Sequence, residues 1–370
     1  MIPVRCLIAN DKFKGSLSAL EAAHAIAAGL PGGVEVDVCP IADGGEGFTE
    51  TMHAALGGRL VTVEVSDALH RPVQGRYAVT GEGVAVLEMA AASGLQLIEP
   101  PRRSVLDAST FGTGELMEHA AKQPGVERIL LGLGGSATTD GGVGMASALG
   151  VHPIDPLDRT LKPWPAALGD LAGFRASPRP PLPPIEAASD VTNPLLGPRG
   201  ATAVFAEQKG AGPSERDVLE ARLARLVQVT GAQEVAERPG AGAAGGLGFG
   251  LMHFLGAELR PGFELVAEAI GLMSRIRAAD FVITGEGSLD AQSLDGKGPV
   301  GVARMAASLG KPVYAVAGHV AAAVRESGLF ERIGCLDKSG LDLAHLMEHA
   351  AKLLEEATAE MMSDYTGEFT

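Results

Sequence analysis

The stretch Asp280–Lys297, DFVITGEGSLDAQSLDGK, decides the fold predicted for this chain. Its apolar start, residues 281–284, predicts a short buried strand of a parallel sheet. Two glycines bracket Glu286 directly after that strand, and Asp290 and Lys297 follow. Open α/β sheets bind their ligands beyond the carboxyl ends of the strands, and two acids with one lysine suit a metal–phosphate complex. An acidic surface turn, in which glycine supplies positive φ, explains the same residues equally well.

Length and composition limit the classes to which the chain can belong. Its 370 residues leave room for two domains, or for one domain with a large insertion. Apolar residues make up 46% of the chain, which favours a packed globular protein over a disordered one. The net charge of −15 and the lack of a basic stripe argue against nucleic-acid binding. Positive charge for an anionic ligand must therefore be local, which draws attention to isolated lysines in glycine-rich loops.

The cysteines and the N-terminal sequence predict a cytoplasmic protein. The three cysteines lie in apolar settings without CxxC spacing, which favours buried reduced thiols: Cys6, Cys39 and Cys335. The N-terminus lacks the basic and long apolar regions of a signal peptide. No apolar run reaches the length of about 18 residues that a membrane span needs, so no membrane partner is expected. The sequence leaves the oligomeric state open, a homo-oligomer included.

A second candidate loop follows the first apolar run of the chain. Residues 4–9 predict a buried strand, and Ser18 with Glu21 forms a capping box for the helix beyond the loop. Lys12 and Lys14 lie two positions apart, so they would project to the same side of an extended segment. Two ammonium groups before a helix N-terminus can bind an anion. Two solvated lysines in a loop are the alternative.

The order of strand, glycines, acids and helix recurs after residues 34–38. Those residues alternate between valine and an acid, the pattern of a half-buried or edge strand. Asp43 and Glu46 lie among the glycines that follow, where they can hold a metal, orient a lysine or accept a substrate hydroxyl. A helix cap and a simple chain turn are the alternative.

A fourth loop is the stretch GLGGSATTDGGVG at residues 132–144. It follows a predicted buried strand at 129–133 and precedes a short helix. Accessible backbone N–H groups, hydroxyls at 136, 138 and 139, and a helix N-terminus can together bind phosphate. No Walker lysine follows, and the context is not that of a dinucleotide-binding GxGxxG. A structural turn with hydroxyl caps is the alternative.

A fifth loop follows a predicted strand at residues 185–189. Asp190 stands at the end of that strand beside Asn193, an arrangement that suits a general base or a metal ligand. An Asx turn or a cap is equally compatible with these residues. The proline-rich stretch 152–184, just before this strand, predicts an irregular surface excursion.

The character of the chain changes near residue 60. Three β-branched runs, separated by polar turns and without intervening helices, predict a mixed or antiparallel unit inserted into the α/β chain: residues 60–65, 73–79 and 84–89. The Gly/Ala-rich stretch 239–250 can act as a hinge between domains or let the backbone approach a ligand. Close helix packing is an equally good explanation of it.

Six motifs in one order make the chain resemble the bacterial type I glycerate kinases over essentially its whole length. They are NDKFKGSLSALEAA, PIADGGEGF, LGLGGSATTDGG, SDVTNPLLGPRGA, GAGAAGGLGFG and TGEGSLDAQSLDGKGPVGVA. The resemblance implies ATP-dependent phosphorylation of D-glycerate with Mg²⁺ in the cytoplasm, and it favours the 2-hydroxyl as the acceptor. It also implies a two-domain α/β fold. A flavodoxin-like (Rossmann-like) parallel-sheet domain would comprise residues 1–65 and 245–370, and an inserted mixed α/β domain, restriction-endonuclease-like, residues 66–244.

Under this resemblance the candidate loops take specific roles. The residues assigned to ATP are Gly134, Gly135, Ser136, Thr138, Thr139 and Lys297. Mg²⁺ is assigned to Glu286 and Asp290, with Asp190 as a further candidate. The residues assigned to D-glycerate or to the transferring phosphoryl group are Lys12, Lys14, Ser16, Glu46 and Asn193. Lys14 is also expected to act in catalysis, and Asp43 or Asp190 would orient the attacking hydroxyl, with Asp190 as the predicted base.

Three other functions compete with this one. A glycerate 3-kinase, or a kinase for a related small hydroxy acid, would share every loop. A non-enzymatic ligand sensor is disfavoured because acids, lysines and hydroxyl-bearing loops are all present. A dinucleotide oxidoreductase is weaker still, because the chain lacks a proper GxGxxG unit.

Overall fold

The computed structural model describes residues 3–178, 181–290, 293–295, 298–337 and 342–363. The chain divides into two compact units. Unit 1 comprises Met1–Asp43, Glu50–Leu56 and Phe263–Thr370, and unit 2 comprises Gly44–Thr49 and Gly57–Gly262.

The described residues form the following strands and helices. The strands, in chain order, are β1 (Val4–Ile8), β2 (Val34–Val38), β3 (Arg59–Ser66), β4 (Pro72–Val79), β5 (Val84–Glu88), β6 (Arg128–Gly132), β7 (Val151–Ile154), β8 (Gly173–Ala176), β9 (Ile185–Ala188), β10 (Glu258–Arg260), β11 (Phe281–Leu289), β12 (Val313–Val320) and β13 (Arg332–Cys335). The helices are α1 (Ala19–Ala28), α2 (Phe48–Leu56), α3 (Ala90–Ser93), α4 (Phe111–Ala121), α5 (Val143–Ala148), α6 (Ala201–Phe205), α7 (Pro213–Thr230), α8 (Gln233–Glu237), α9 (Ala243–Leu255), α10 (Gly262–Ala269), α11 (Leu272–Ala278), α12 (Gly298–Ser308), α13 (Ala322–Arg325), α14 (Leu343–Glu348) and α15 (Ala350–Met361). None of the helices in the described part of the chain is both long and apolar enough to cross a membrane.

Unit 1 is built on a parallel sheet with the strand order β13-β12-β11-β1-β2. Numbered within the unit this order is 2-1-3-4-5, one of the two common doubly wound arrangements. Apolar side chains of α1 and α15 pack with those of β1, β11 and β12 in one buried cluster. The neighbouring residues Leu7 and Val282, which alternate with that cluster along their strands, are also fully buried. Burial on both faces explains why these strands are continuous apolar runs in the sequence.

Two short sequence patterns correctly predicted features of unit 1, namely the start of helix α1 and the half-buried strand β2. Ser18 and Glu21 form the predicted capping box at the start of α1, with the Ser18 hydroxyl accepting the Glu21 N–H. The alternating strand β2 lies at the edge of the sheet and is only half-buried. Cys6 and Cys39 are buried free thiols, whereas Cys335 is only half-buried.

Unit 2 is built on a mixed sheet with the strand order β10-β9-β6-β5-β4-β3. Strands β3, β4 and β5 are antiparallel, whereas β5, β6, β9 and β10 are parallel. Helices α4, α5 and α9 contribute to the core of this unit. Strands β3 and β10 pair within the sheet of unit 2, so the main segment of this unit runs from residue 57 to residue 262, whereas the sequence predicted an inserted domain of residues 66–244.

The proline-rich excursion is more ordered than predicted. Strands β7 and β8 lie within residues 151–176 and pair as an antiparallel ribbon. The prolines do not prevent this pairing, because a ribbon of two strands has free edges where a missing N–H is tolerated. Residues 179 and 180 lie outside the described part of the chain.

Candidate functional site

The predicted loop after Thr284 is instead the continuation of strand β11. The strand extends to Leu289 and includes Glu286 and both flanking glycines. Gly285 and Gly287 do not have positive φ, so the turn geometry that glycine would supply is not the reason for them. A Cβ at Gly285 would collide with the carbonyl oxygen of Val316 on β12. Glycine therefore allows close strand approach at the carboxyl end of the sheet.

An acid cluster forms at this end of unit 1; we use that name for Asp11, Asp43, Glu286 and Asp290. The pairing of β1 with β11 continues past the strand, where the Asp11 N–H donates to the Gly285 carbonyl at 2.8 Å. The Asp11 carboxyl is thus placed near Glu286, whose pKa it raises. Asp11 was not among the predicted site residues, although its position just after a buried parallel strand is the signal that could have identified it.

Within the part of the chain that the structure describes, Lys12 supplies positive charge to the acid cluster. Its Nζ lies 3.6 Å from Asp11 Oδ1 and 3.8 Å from Asp43 Oδ1. Burial raises the pKa of Asp11 to about 6; the Lys12 ammonium opposes this shift and the Asp43 carboxylate adds to it. Burial, together with the charges of Asp11, Asp290 and Asp43, also raises the pKa of Glu286 to about 7 against a hydrogen bond from Ser293. The cluster therefore carries more negative charge than one lysine offsets.

The two predicted metal ligands are linked through Ser293. The Ser293 hydroxyl donates to Glu286 Oε1 at 2.8 Å and accepts the Asp290 N–H at 3.2 Å. The Ser293 N–H in turn donates to Asp290 Oδ1 at 3.2 Å. Lys297, the predicted lysine of this region, lies outside the described residues.

Lys14 lies in different surroundings from Lys12. Residues 14–16 form a turn closed by a bridge between Phe13 and Leu17, so the segment is not extended as far as Lys14. Lys14 is exposed and, with Ser16, lines a pocket of unit 1. The predicted pair of lysines on one side of an extended segment is therefore wrong, because the turn begins between them.

The charge balance of the acid cluster predicts a stability change on replacing Glu286 by glutamine. The folded protein keeps a proton on Glu286 up to a pKa of about 7, against an ordinary value of 4.5. This group therefore makes the folded state less stable as pH rises through that window, by about 3 kcal/mol in full. Glutamine removes this loss and keeps an oxygen for the Ser293 hydroxyl. We expect Glu286→Gln to raise the midpoint of urea unfolding at pH 8 and to leave it nearly unchanged at pH 4.

Glu326→Gln, at an exposed position after α13, is the matched control and should change little at either pH. A Glu286→Gln protein that unfolds at lower urea than the unmodified protein at pH 8 would show that the carboxylate is stabilising. That outcome would contradict the account of the acid cluster.

Unit 2 contains the glycine loop, a name used here for residues 132–144. Its centre is Asp140, which is 1% exposed. The Asp140 carboxylate accepts hydrogen bonds from the N–H groups of Thr110, Gly142 and Gly144 at 2.7, 3.0 and 3.1 Å, and from the Thr110 hydroxyl at 2.8 Å. Burial raises the pKa of Asp140, and these hydrogen bonds oppose that shift. The carboxylate therefore fixes the second half of the loop from inside.

Lys209 is a second buried charge beside the glycine loop. It is 2% exposed, and its Nζ donates to the Thr138 carbonyl at 2.6 Å. Burial lowers the pKa of Lys209 to about 7, while the Asp140 charge raises it. Sequence reasoning missed this residue, although a lysine followed by Gly-Ala-Gly in a chain of net charge −15 met the criterion stated for isolated lysines.

The predicted ATP residues of the glycine loop differ in accessibility. Gly135 is exposed with φ of 74°, and Gly134 and Ser136 are half-buried. The Gly134 N–H already donates to the Gly44 carbonyl at 3.1 Å. Thr138 and Thr139 are 0% and 2% exposed, so their hydroxyls lie in the interior of unit 2. The exposed part of the loop is therefore residues 134–136.

The Gly/Ala-rich stretch before and within α9 packs closely against the glycine loop. Gly245 and Gly246 have positive φ, and a Cβ on Gly245 would collide with the Thr138 carbonyl. A Cβ on Gly248 would likewise collide with the Gly240 carbonyl. The stretch lies wholly within unit 2, so close packing explains its glycines better than a hinge does.

The remaining candidates of unit 2 lie on its loops. Asp190 Oδ1 accepts the Gly262 N–H at 2.8 Å, which ties the end of β9 to the start of α10. The Asn193 side chain donates to the Arg199 carbonyl at 2.8 Å and closes its own loop. Glu46 is exposed on the turn before α2. Asp190 and Asn193 thus each make a hydrogen bond that stabilises the local backbone, in addition to any contact with a ligand.

Acids and a lysine at the carboxyl end of a doubly wound sheet, with a glycine-rich loop in a second unit, are typical of α/β enzymes that bind phosphorylated ligands. The sequence model of the glycerate kinase family matches residues 6–366. The chain belongs to the glycerate kinase family and is therefore a phosphotransferase, which confirms the resemblance drawn from its six motifs.

Individual relatives agree with this assignment. A Bacillus subtilis protein named glycerate kinase is 41% identical over 97% of each chain. The Escherichia coli protein named glycerate 2-kinase is 40% identical over 96% of this chain and 93% of its own. A crystal structure of a candidate glycerate kinase 2 from Salmonella typhimurium LT2 superimposes with a TM-score of 0.87 at 38% identity, covering 99% of both chains.

Proposed function

We propose that this chain is an ATP-dependent glycerate kinase that phosphorylates the 2-hydroxyl of D-glycerate and releases 2-phosphoglycerate. The observation that carries the proposal is the family match across residues 6–366. The Escherichia coli relative, named glycerate 2-kinase at 40% identity, supports the 2-hydroxyl over the 3-hydroxyl. The acid cluster with Lys12 supplies chemistry that suits this reaction.

Phosphoryl transfer depends on positioning and on neutralising the charge of the transferring group. We assign that neutralisation to Lys12, whose ammonium is held between Asp11 and Asp43. Asp43, 38% exposed and 3.8 Å from the Lys12 ammonium, is a candidate to orient the attacking hydroxyl. Lys14 and Ser16 remain candidates for binding substrate.

Glu286 and Asp290 suit a Mg²⁺ ion that is shared with a nucleotide. Among the residues that the structure describes, no group of three or more acid, histidine or cysteine side chains is placed to hold a metal by itself. Mg²⁺ normally keeps several waters and takes one or two carboxylates plus phosphate oxygens, so two acids joined by Ser293 are a compatible donor set. When bound with ATP, the ion would neutralise charge on the phosphates.

The exposed part of the glycine loop, Gly134–Ser136, is the portion of unit 2 that we assign to phosphate. The buried Thr138 and Thr139 were also predicted to bind ATP; their 0% and 2% exposure favours a role in holding the loop's shape. Lys297 remains a proposed phosphate ligand. In unit 2 we further assign Glu46 and Asn193 to substrate and Asp190 to the general base.

The role of Asp190 can be tested by replacing it with asparagine. Asparagine keeps the oxygen that accepts the Gly262 N–H, so the junction of β9 and α10 should persist. We expect kcat to fall by about 10²–10⁴-fold, the contribution typical of a general base. Asp217→Asn, at an exposed position on α7, is the control and should leave kcat unchanged. A kcat near that of the unmodified enzyme would remove Asp190 from the catalytic residues.

The substrate assignment can be tested with ADP release over a panel of small hydroxy acids. We expect D-glycerate to give the highest kcat/KM. A higher value for another hydroxy acid would redirect the substrate, and ATP binding without any turnover would favour the sensor. Turnover with a nicotinamide dinucleotide in place of ATP would favour the oxidoreductase.

We also propose finer assignments of fold and location. The strand order of unit 1 supports a flavodoxin-like domain. The mixed sheet of unit 2 is compatible with a restriction-endonuclease-like domain, which superposition of that unit alone on such folds would test. Three unpaired thiols support action in the cytoplasm.

A further inference from the structure

Unit 1 contains a pocket of about 320 Å³ at the carboxyl ends of its strands. Lys14, His319 and Asp337 line one part of it, and Leu346 and Met347 of α14 line another. His319 Nδ1 lies 3.1 Å from Asp337 Oδ2. The pocket thus combines apolar walls with a small number of polar groups, as small-molecule sites do.

Backbone alone forms a further wall of this pocket. Gly287 of β11 and Gly318 of β12 both line it. A Cβ on Gly318 would collide with the Gly287 carbonyl, so the two strands approach too closely for a side chain there. A Cβ on Gly15, which precedes Ser16, would come within 2.8 Å of the Met347 methyl group. Glycine at these positions keeps the pocket open.

The size and lining of the pocket suit a nucleoside better than glycerate. Its volume of about 320 Å³ lies at the lower end of the range of about 300–1,000 Å³ for small-molecule sites. Glycerate is a small acid that is polar on every carbon, so it would leave most of this space and all of the apolar wall unused. A purine base offers two apolar faces, and ribose hydroxyls pair well with a carboxylate such as that of Asp337.

Some residues that line the pocket are close neighbours, in the chain, of residues at the acid cluster. Lys12 contacts the cluster and Lys14, two residues later, lines the pocket. On β11 the neighbours Glu286 and Gly287 belong to the cluster and to the pocket respectively. A nucleotide whose base occupies the pocket therefore has a lysine at the pocket, and a second lysine with two proposed Mg²⁺ ligands lies at the same carboxyl end of the unit 1 sheet.

We propose that this pocket of unit 1 binds the nucleoside of ATP, with the base against Leu346 and Met347 and the phosphates directed past Lys14. The proposal rests on the proposed function, because it names the site where that reaction's nucleotide is held. Two of the six motifs contribute Lys14, Ser16 and Gly287 to this pocket, but its apolar wall on α14 lies outside every motif.

A carboxylate introduced on the pocket wall should weaken ATP binding. We expect Met347→Glu to raise the Kd for ATP, measured by titration calorimetry without glycerate, at least tenfold. Met273→Glu on α11 is the matched control, because Met273 is 40% and Met347 37% exposed. The control should leave the Kd within twofold. In turnover assays the KM for ATP should rise in Met347→Glu while the KM for D-glycerate stays within twofold.

A second pair of variants keeps the test decisive if Met347→Glu does not fold. Leu343, on the pocket wall, and Leu157, in unit 2, are both 71% exposed, so Leu343→Glu and Leu157→Glu form a matched pair. Unchanged ATP affinity in folded pocket variants would overturn the proposal, as would a rise confined to the KM for glycerate. Lack of turnover in the unmodified protein, with ATP binding still sensitive to Met347→Glu, would refute the proposed function and leave the pocket assignment standing.

Discussion

In a Lys12→Met variant we expect kcat for D-glycerate to fall by about a thousandfold, or about 4 kcal/mol of transition-state stabilisation. Lys12 is the cation that the structure holds in the acid cluster, 3.6 Å from Asp11 Oδ1 and 3.8 Å from Asp43 Oδ1. These two carboxylates fix its position, so the charge needs little reorganisation when phosphoryl transfer begins. Methionine retains most of the side-chain volume and removes the ammonium group, with its charge and its N–H donors.

Lys352→Met is the control for this experiment. Lys352 lies on α15 of the same unit, its side chain is 78% exposed, and its Nζ is 3.8 Å from Glu356. Its replacement removes the same charge from the whole protein and should leave kcat unchanged. Steady-state ADP release at saturating ATP and glycerate gives both values. A folded Lys12→Met enzyme with kcat within threefold of the unmodified enzyme would rule out the proposed role of Lys12.

The Asp140→Asn variant should lose about 3–5 kcal/mol of unfolding free energy, the cost typical of removing one partner of a buried charged pair. The Asp140 carboxylate acts only as an acceptor, from three backbone N–H groups and from the hydroxyls of Thr110 and Ser109. An asparagine NH₂ in place of one oxygen would face some of these donors. The substitution also removes the negative charge beside the buried Lys209.

Fluorescence of Trp164 during urea unfolding measures this loss. Trp164 is the only tryptophan of the chain, lies in unit 2 and packs against His70 with ring centroids 4.2 Å apart. Asp155→Asn is the control, because Asp155 is also a buried carboxylate of unit 2 but pairs with the exposed Arg159. The account of the glycine loop would fail if Asp140→Asn lowered the unfolding midpoint no more than Asp155→Asn does.

Much of the fold follows from short-range patterns in the sequence. The Ser18 capping box, the alternating β2 and the run of β-branched segments at β3, β4 and β5 depend on residues within one element or one turn. Local propensity and periodicity are sufficient in such cases. The same patterns underestimated the length of β11. Gly285 and Gly287 look like turn residues in the sequence, and only the close approach of β12 explains them as strand residues.

The candidate site depended on contacts that no local pattern contains. Asp11 pairs with Gly285 only because β1 and β11, far apart in the chain, are neighbours in the sheet. The Lys209 ammonium and the Thr138 carbonyl are 71 residues apart. The sequence also gives no reason to distinguish the hydroxyls of the glycine loop, whereas the structure shows that Ser136 is half-buried and Thr138 fully buried. Family resemblance supplied the reaction, and tertiary structure was needed to group these residues.

Phosphorus NMR of the product formed from ATP and D-glycerate tests the central claim most directly. Transfer to the 2-hydroxyl places phosphorus beside a carbon with a single hydrogen, so the proton-coupled signal of the product should be a doublet, that of 2-phosphoglycerate. A triplet would identify 3-phosphoglycerate and contradict the assignment of the 2-hydroxyl. If no phosphorylated product of D-glycerate appears and ATP remains intact, that result would contradict the proposed glycerate kinase activity itself.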